Sequence, residues 1–289
     1  MTRLGICSVF KNEAASLKEW IEFHLNQGFV RFYLFDDKST DESLAILEPY
    51  VRSGVVTLST TNDNPLFALG RQPEAFNRGL KASRGDCDWV AFIDTDEFLF
   101  SPNGYIVDQL PRNPLVAGVA IWWRIFGSSG NETPPSVGVL RGFTRSARFP
   151  STLAEATEIF QFQNQAFFGD RGRIISGNVL QVKSIVRPRM IREYHVHQPT
   201  KYFGVLVDEN GKTFHRGRHL PTHSTLRINH YWSKSLSELT AKEQKFARDV
   251  AILDDYLRWD DVLNYEEDRV VLEHLQWQES HSRVGRVHD

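Results

Sequence analysis

Two hydrophobic periods alternate along the first hundred residues. Leu4-Gly5-Ile6-Cys7-Ser8-Val9-Phe10 is an almost unbroken apolar run, the pattern of a strand buried on both faces. Residues 14–28 change to helical spacing: Leu17, Trp20, Ile21, His24 and Leu25 share one face, and Gly28 is the natural stop. Phe29 to Phe35 reads as a second strand. Ser39-Thr40-Asp41-Glu42 then reads as an S-x-x-E capping box opening a helix lined by Leu44, Leu47 and Val51 and closed by Gly54. Val55 to Leu58 is a third strand, residues 72–84 a third helix, and Trp89 to Ile93 a fourth strand. This β-α-β-α-β-α-β order predicts an α/β fold: a Rossmann-like, mainly parallel sheet with helices on both faces.

The pattern loosens after residue 115. Gly118 to Phe126 and Gln181 to Arg187 read as strands, the latter stopped by Pro188, and the Gly-, Ser- and Pro-rich stretch 127–150 reads as loops. Residues 151–175 fit neither period cleanly. Residues 236–250 and acidic segments within 251–280 predict extra C-terminal helices. The expected organisation is one domain over 1–280, with a regular half (1–115), a less regular half (116–235), C-terminal helices (236–280) and a frayed tail (281–289).

Composition removes several classes. The 289 residues carry 34 Lys+Arg against 36 Asp+Glu, a net charge of −2, which argues against a chain held to nucleic acid by bulk positive charge. The two cysteines, Cys7 and Cys87, form no C-x-x-C pair, so a zinc ribbon or disulfide scaffold is excluded. The N-terminal apolar run is too short for a signal peptide or membrane span, and the expectation is a cytoplasmic protein. No basic amphipathic helix stands out as a membrane anchor, and residues 256–279 are acidic. Peripheral association at the inner face of a membrane would follow only from a lipid-linked ligand. The oligomeric state is not legible.

The sharpest candidate chemistry is Trp89-Val90-Ala91-Phe92-Ile93-Asp94-Thr95-Asp96-Glu97, an apolar strand delivering three carboxylates at its carboxyl end. Ligands of open α/β sheets bind outside those ends. On an ideal strand Asp94 and Asp96 share a face, and two facing carboxylates call for a proton or a hard divalent cation between them. Asp36-Asp37 ends the second strand and Asn12-Glu13 the first, so three strand ends aim polar groups at one crevice.

The run from Cys7 to Phe100 resembles a GT-A glycosyltransferase, and more narrowly glycosyltransferase family 92 and its bacterial relatives. The resemblance rests on Lys11-Asn12-Glu13, Leu17-Lys18-Glu19-Trp20-Ile21, His24, Phe35-Asp36-Asp37, Ser39-Thr40-Asp41, Gly54-Val55-Val56 and the run from Trp89 to Leu99. It continues through Phe126-Gly127-Ser128-Ser129-Gly130, Val182 to Pro188, His197, Asn229-His230-Tyr231 and Lys234-Ser235.

The resemblance implies a nucleotide-sugar donor, in first place a UDP-sugar, and a glycan or lipid-linked acceptor. Asn12, Glu13 and Asp37 would hold the nucleotide. Gln72 and Asn77 would lie over it and near the donor sugar, and Thr95 would share the donor site. Asp94 and Asp96 would be a DxD motif holding Mn²⁺ or Mg²⁺ on the diphosphate. His230 would complete the metal shell, with His197 as the rival ligand, and Lys234 would meet phosphate where a helix begins at Ser235. Lys183 and Arg187 are candidates for phosphate or acceptor, or simply a solvated strand edge. Trp122 and Trp123 read as core or as an acceptor platform. An inverting reaction needs a carboxylate base; Glu158 and Asp170 are in range, with Glu132 and Glu155 behind them. The sequence departs from the family at Arg141-Gly142-Phe143, where relatives tend to have Glu-Arg-Phe, and across 147–180, which is longer than the usual spacing. Two rivals stand beside this reading. One is a sugar nucleotidyltransferase, which usually opens with a Gly-rich basic loop absent from Phe10-Lys11-Asn12-Glu13. The other is a non-catalytic glycan- or nucleotide-sugar-binding protein on the same fold.

Overall fold

The structure is a computed structural model that describes residues 2–64, 66, 70–156, 181–215, 219–245, 260 and 262–281. The expected alternation is present: β1 (Leu4–Phe10), α1 (Ala14–Asn26), β2 (Phe29–Asp36), α2 (Ser43–Arg52), β3 (Val56–Thr60), α3 (Gln72–Ser83) and β4 (Trp89–Phe92). These four strands lie in the order β3-β2-β1-β4, all parallel. Next come β5 (Glu97–Phe100), a single helical turn α4 (Ile106–Gln109), the long β6 (Val116–Phe126), a second single turn α5 (Val139–Gly142) and β7 (Arg145–Ser146). They are followed by β8 (Val182–Val186), β9 (Ile191–Tyr194), β10 (Pro199–Tyr202), β11 (Val205–Asp208), β12 (Arg227–Tyr231), α6 (Leu236–Lys245), β13 (Glu266–Glu267) and α7 (Val270–His281).

Helices cover both faces because β1 is buried along its whole length and β2 from Phe32 to Asp36, rather than at alternate positions. Leu4, Ile6 and Phe10 join a core with Leu17, Trp20 and Ile21 of α1 and Leu47 of α2, while Cys7 and Val9 join another with Ala75, Phe76 and Leu80 of α3. Helix α3 comes close enough that a Cβ on Gly79 would sit well inside contact distance of Cys7 Sγ. Gly28 ends the first helical turnaround at φ 92°, a conformation that favours glycine.

Beyond β4 the sheet continues with mixed direction. Strand β8 runs antiparallel between β4 and β6. Strands β11 and β12 pair parallel to β6, and β12 also pairs antiparallel with β5. Strand β5 draws further partners from α1. Trp20 Nε1 donates to the Glu97 carbonyl at 2.7 Å, and His24 Nε2 accepts from Leu99 N at 3.1 Å. That acceptor role puts the ring proton on Nδ1, facing the Trp20 carbonyl at 2.8 Å. Burial pulls the His24 pKa down to about 3, consistent with a neutral ring.

Two local expectations change. Ser39 does not cap α2: the helix starts at Ser43, and Ser39 Oγ instead accepts from Asn12 N at 3.0 Å. A capping box does form ahead of α6: Ser235 N and Oγ both bond Glu238 Oε2, at 3.1 and 2.6 Å. The 127–150 stretch contains α5 and β7, held by long-range bonds that no local pattern announces. Asn264 Oδ1 accepts from Ser129 N, Asp260 Oδ1 accepts from Ser128 N, and Glu19 accepts from Val139 N and Leu140 N.

Candidate functional site

Strand β4 ends at Phe92, and Asp94 to Asp96 form the turn into β5. Asp94 and Asp96 therefore do not sit on one strand face, and the turn sends them to different partners. Asp94 Oδ1 accepts from Gln72 Nε2 at 2.7 Å and Oδ2 accepts from Lys183 Nζ at 2.8 Å. Asp96 Oδ1 lies 3.5 Å from His230 Nε2. The register of β5 against β12 sets Glu97 opposite His230, and the Asp96 carbonyl accepts from Tyr231 N at 2.8 Å, which pins the turn to the end of β12. Among the described residues, Asp96, Glu97 and His230 offer three ligand atoms within 4.8 Å of one another.

The donor set fits a hard divalent ion. Two carboxylates and an imidazole are ordinary ligands for Mn²⁺ and acceptable ones for Mg²⁺. Glu97 is fully buried, and its Oε1 lacks a hydrogen-bond partner. Burial pushes its pKa well above the usual carboxylate range, with Lys183 opposing and Asp94 and Asp96 adding. A cation against that oxygen would satisfy it. The sequence motif contained Glu97 without giving it a role. The signal was there, since an acid closing an apolar run and opening another is buried by default.

Lys183 is not a solvated strand edge. It has no exposed surface, and Phe76 and Trp123 flank its ammonium at 5.7 and 5.9 Å from their ring centres. Burial lowers its pKa, but the charges of Asp94 and Glu97 outweigh that and hold it protonated. Trp123 belongs to the wall of the site: its indole packs on His230 at 4.3 Å and on His197 at 5.4 Å. His197 Nδ1 faces the Val182 carbonyl at 3.2 Å, so the three-ligand group takes in His230 and not His197. Trp122 is buried against Phe214. Arg187 sits beside the start of β4, stacked on Trp89 and donating to the Pro111 and Asn113 carbonyls, at the opposite end of the sheet from the acidic turn.

The remaining predicted residues ring the same strand ends. Lys234, in the left-handed region at φ 50°, donates to Glu13 Oε2 at 2.9 Å and Ser16 Oγ at 2.8 Å. Burial lowers its pKa, and Glu13 and Asp96 outweigh that. Asp37 is buried, receives Arg71 through both oxygens at 2.7 and 3.1 Å, and accepts from Thr61 Oγ1 at 2.6 Å. Burial raises its pKa, but Arg71 and Thr61 hold it below the usual carboxylate range. Asn12 Oδ1 accepts from Thr40 N at 2.7 Å, tying the first two strand ends together. Thr95 is buried in the turn. Asn77 is occupied elsewhere: its amide bonds the backbone of Tyr194 in both directions, at 2.8 and 2.9 Å, docking β9 on α3. Arg71 was missed because its side chain meets Asp37 across 34 positions, beyond any local pattern. Of the acids named as a base, Glu158 and Asp170 lie outside the described residues. Glu132 is exposed, and Glu155 accepts from Ser151 N and Arg148.

The model of the family described as "Glycosyltransferase family 92" matches residues 3–252. A glycosyltransferase family 92 protein of Ricinus communis is 28% identical over 151 residues, covering 50% of this chain and 26% of its own. The galactan beta-1,4-galactosyltransferase GALS1 of Arabidopsis thaliana is 27% identical over 116 residues, covering 36% of this chain and 22% of its own. The chain thus spans about a quarter of the length of these relatives. Among solved structures, S. aureus TarS 1–349 aligns at a TM-score of 0.40 and 16% identity over 98% of this chain and 73% of its own. The glucosyl-3-phosphoglycerate synthase of Mycobacterium tuberculosis, solved with Mn²⁺, UDP and phosphoglyceric acid, aligns at 0.34 and 16% over 66% of this chain and 57% of its own.

Proposed function

The chain belongs to glycosyltransferase family 92, and from that premise we propose that it transfers a sugar from a nucleotide donor to a glycan or lipid-linked acceptor, with a UDP-sugar as donor and Mn²⁺ or Mg²⁺ as cofactor. The observation that carries the reading is the meeting of Asp96, Glu97 and His230 at the carboxyl edge of the parallel strands, where a nucleotide would lie. These three would hold the ion. Bound there, it supplies Lewis-acid stabilisation of the charge that the departing nucleoside diphosphate gains.

The chain's own residues define the rest of the site. Lys234 brings a buried positive charge to the same edge, already oriented by Glu13 and Ser16, and stands ready to meet phosphate oxygens. Asp37 and Arg71 form a fixed pair at the end of β2, where the base and ribose would dock. Trp123 packs edge-on against the His230 ring and walls that side of the site. The inverting base is proposed to come from the acceptor half, with Glu158 and Asp170 as the residues to replace first.

Release of UDP from a panel of UDP-sugars, with and without Mn²⁺, tests the reading. Turnover is expected only with metal, and Asp96→Ala should lose it while unfolding at the temperature of the unaltered protein. Full turnover in that variant would sink the assignment. Binding of a nucleotide sugar with no turnover under any condition would favour a non-catalytic binding protein.

A further inference from the structure

We propose that the chain carries a second binding surface, an apolar and arginine-rich face at the end of the sheet opposite the acidic turn, which docks on a bilayer of anionic phospholipid. The surface is separate from the nucleotide site and does not rest on the glycosyl-transfer reading.

Leu115, just before β6, lies against the run Tyr202-Phe203-Gly204-Val205 that joins β10 to β11. Val205 N donates to the Leu115 carbonyl and Phe203 N to the Met190 carbonyl, both at 2.9 Å. Gly204 turns the chain at φ 86°, where a Cβ would strike the Leu115 carbonyl oxygen, so the close approach needs glycine. Backbone bonds thus fix the turn, yet it holds four apolar side chains out in water. Leu115 is 65% exposed, Phe203 56%, and Tyr202 and Val205 40% each. Single apolar residues on a surface need no explanation, but four in one fixed cluster do.

Arginines from three chain segments frame the cluster. The Arg192 guanidinium lies 4.8 Å from the Phe203 ring centre. Arg189 donates to the Arg84 carbonyl at 3.0 Å, and Arg84 donates to the Ile191 carbonyl at 2.9 Å. Arg112 sits between Pro111 and Asn113, whose carbonyls accept from Arg187. Bonds to carbonyls leave the positive charge in place. Glu193 is paired with Lys201, so only Asp86 and Asp88 face these five arginines, and positive charge is in excess here on a chain whose net charge is −2. Exposed apolar side chains set among arginines suit a headgroup layer: the first enter the acyl boundary and the second meet phosphate. A second copy of the chain would bring the same arginines against one another. Nucleic acid would leave the apolar side chains in water. Val205 pairs with Val116 at the start of β6, and Val186, just before Arg187, pairs with Val90 near the start of β4. The acidic turn and His230 lie at the far ends of those strands, so a docked chain turns its candidate site to the aqueous side.

Co-sedimentation of the purified chain with vesicles decides the matter. Vesicles of phosphatidylglycerol and phosphatidylcholine in equal parts should bind it at least about tenfold more tightly than phosphatidylcholine alone, and added salt should shrink the difference. Arg189→Gln together with Arg192→Gln should weaken binding to the mixed vesicles about twentyfold, at about fivefold for each arginine. Phe203→Ser should weaken it about tenfold and leave the unfolding temperature unchanged, since the ring is mostly in water. Lys18→Gln, which removes one charge from helix α1, should bind like the unaltered chain. Equal binding to the two kinds of vesicle, or binding to neither, overturns the inference. So does mixed-vesicle binding that survives Phe203→Ser or the paired arginine replacement. A chain that is dimeric in solution and becomes monomeric with Phe203→Ser also overturns it, by putting a second copy on this face. Each of these failures leaves the glycosyl-transfer reading intact.

Discussion

The parallel block β3-β2-β1-β4 and the mixed block around β6, β8 and β12 are two solutions to the same problem, burying strands on both faces. The first is held mainly by apolar contact: strand residues alternate between the α1/α2 core and the α3 core, and apart from the Asp37–Arg71 pair at the end of β2 its charged pairs, such as Lys18–Glu22, stay near water. The second buries charge. Arg124 of β6 and Arg227 of β12 converge on Asp268, all three buried, and Arg124 also pairs with Glu266. Glu209, likewise buried, accepts from three successive backbone amides, Ser224, Thr225 and Leu226, each at 2.7 Å. Apolar packing tolerates modest change, whereas a buried ionic network fails when one member is lost. The candidate site lies on the seam: Asp94 and Asp96 come from the turn that leaves the first block, and Glu97, His230 and Lys183 from β5, β12 and β8 of the second.

The largest expected effect follows in the second block. Asp268→Ala strands two buried guanidinium groups, and unfolding by urea should show a loss of about 3–5 kcal/mol. In the first block the most sensitive point is steric. Gly79→Ala pushes a methyl group into Cys7 Sγ and should cost about 1–3 kcal/mol. Adding Cys7→Ala removes the clashing sulfur and should restore most of that loss, which a general weakening of helix α3 would not allow. The smallest effect belongs to the surface of α1. Lys18→Ala removes a pair at 3.8 Å whose side chains are 69% and 52% exposed, and should change stability by less than about 0.5 kcal/mol. A large loss there, or a negligible one at Asp268, would reverse the contrast between the blocks.

The same contrast explains what the sequence could show. Strands β1 to β4 and helices α1 to α3 were legible because each is a run of one period bounded by its own stop, as at Gly28 and Gly54. Strand β5 was hidden because Glu97 to Phe100 is four residues long and follows β4 after one turn. Its identity comes from β12, more than a hundred residues away, and from Trp20 and His24. At the site, the acidic turn, His230 and Lys234 could be named from their spacing and family resemblance. The split between Asp94 and Asp96 could not, because it depends on Lys183 and Gln72, which approach from either side in space but lie 89 and 22 positions away in the chain.

Thermal unfolding with a panel of nucleoside diphosphates, each with and without Mn²⁺, tests the central claim most directly. A ligand that binds only the folded chain adds about 2.7 kcal/mol of stability at a hundredfold excess over Kd. The account predicts a rise in Tm with UDP that requires Mn²⁺ and disappears in Asp96→Asn. Folded protein that shows no shift with any nucleotide, or the same shift in the presence of a chelator, would contradict it.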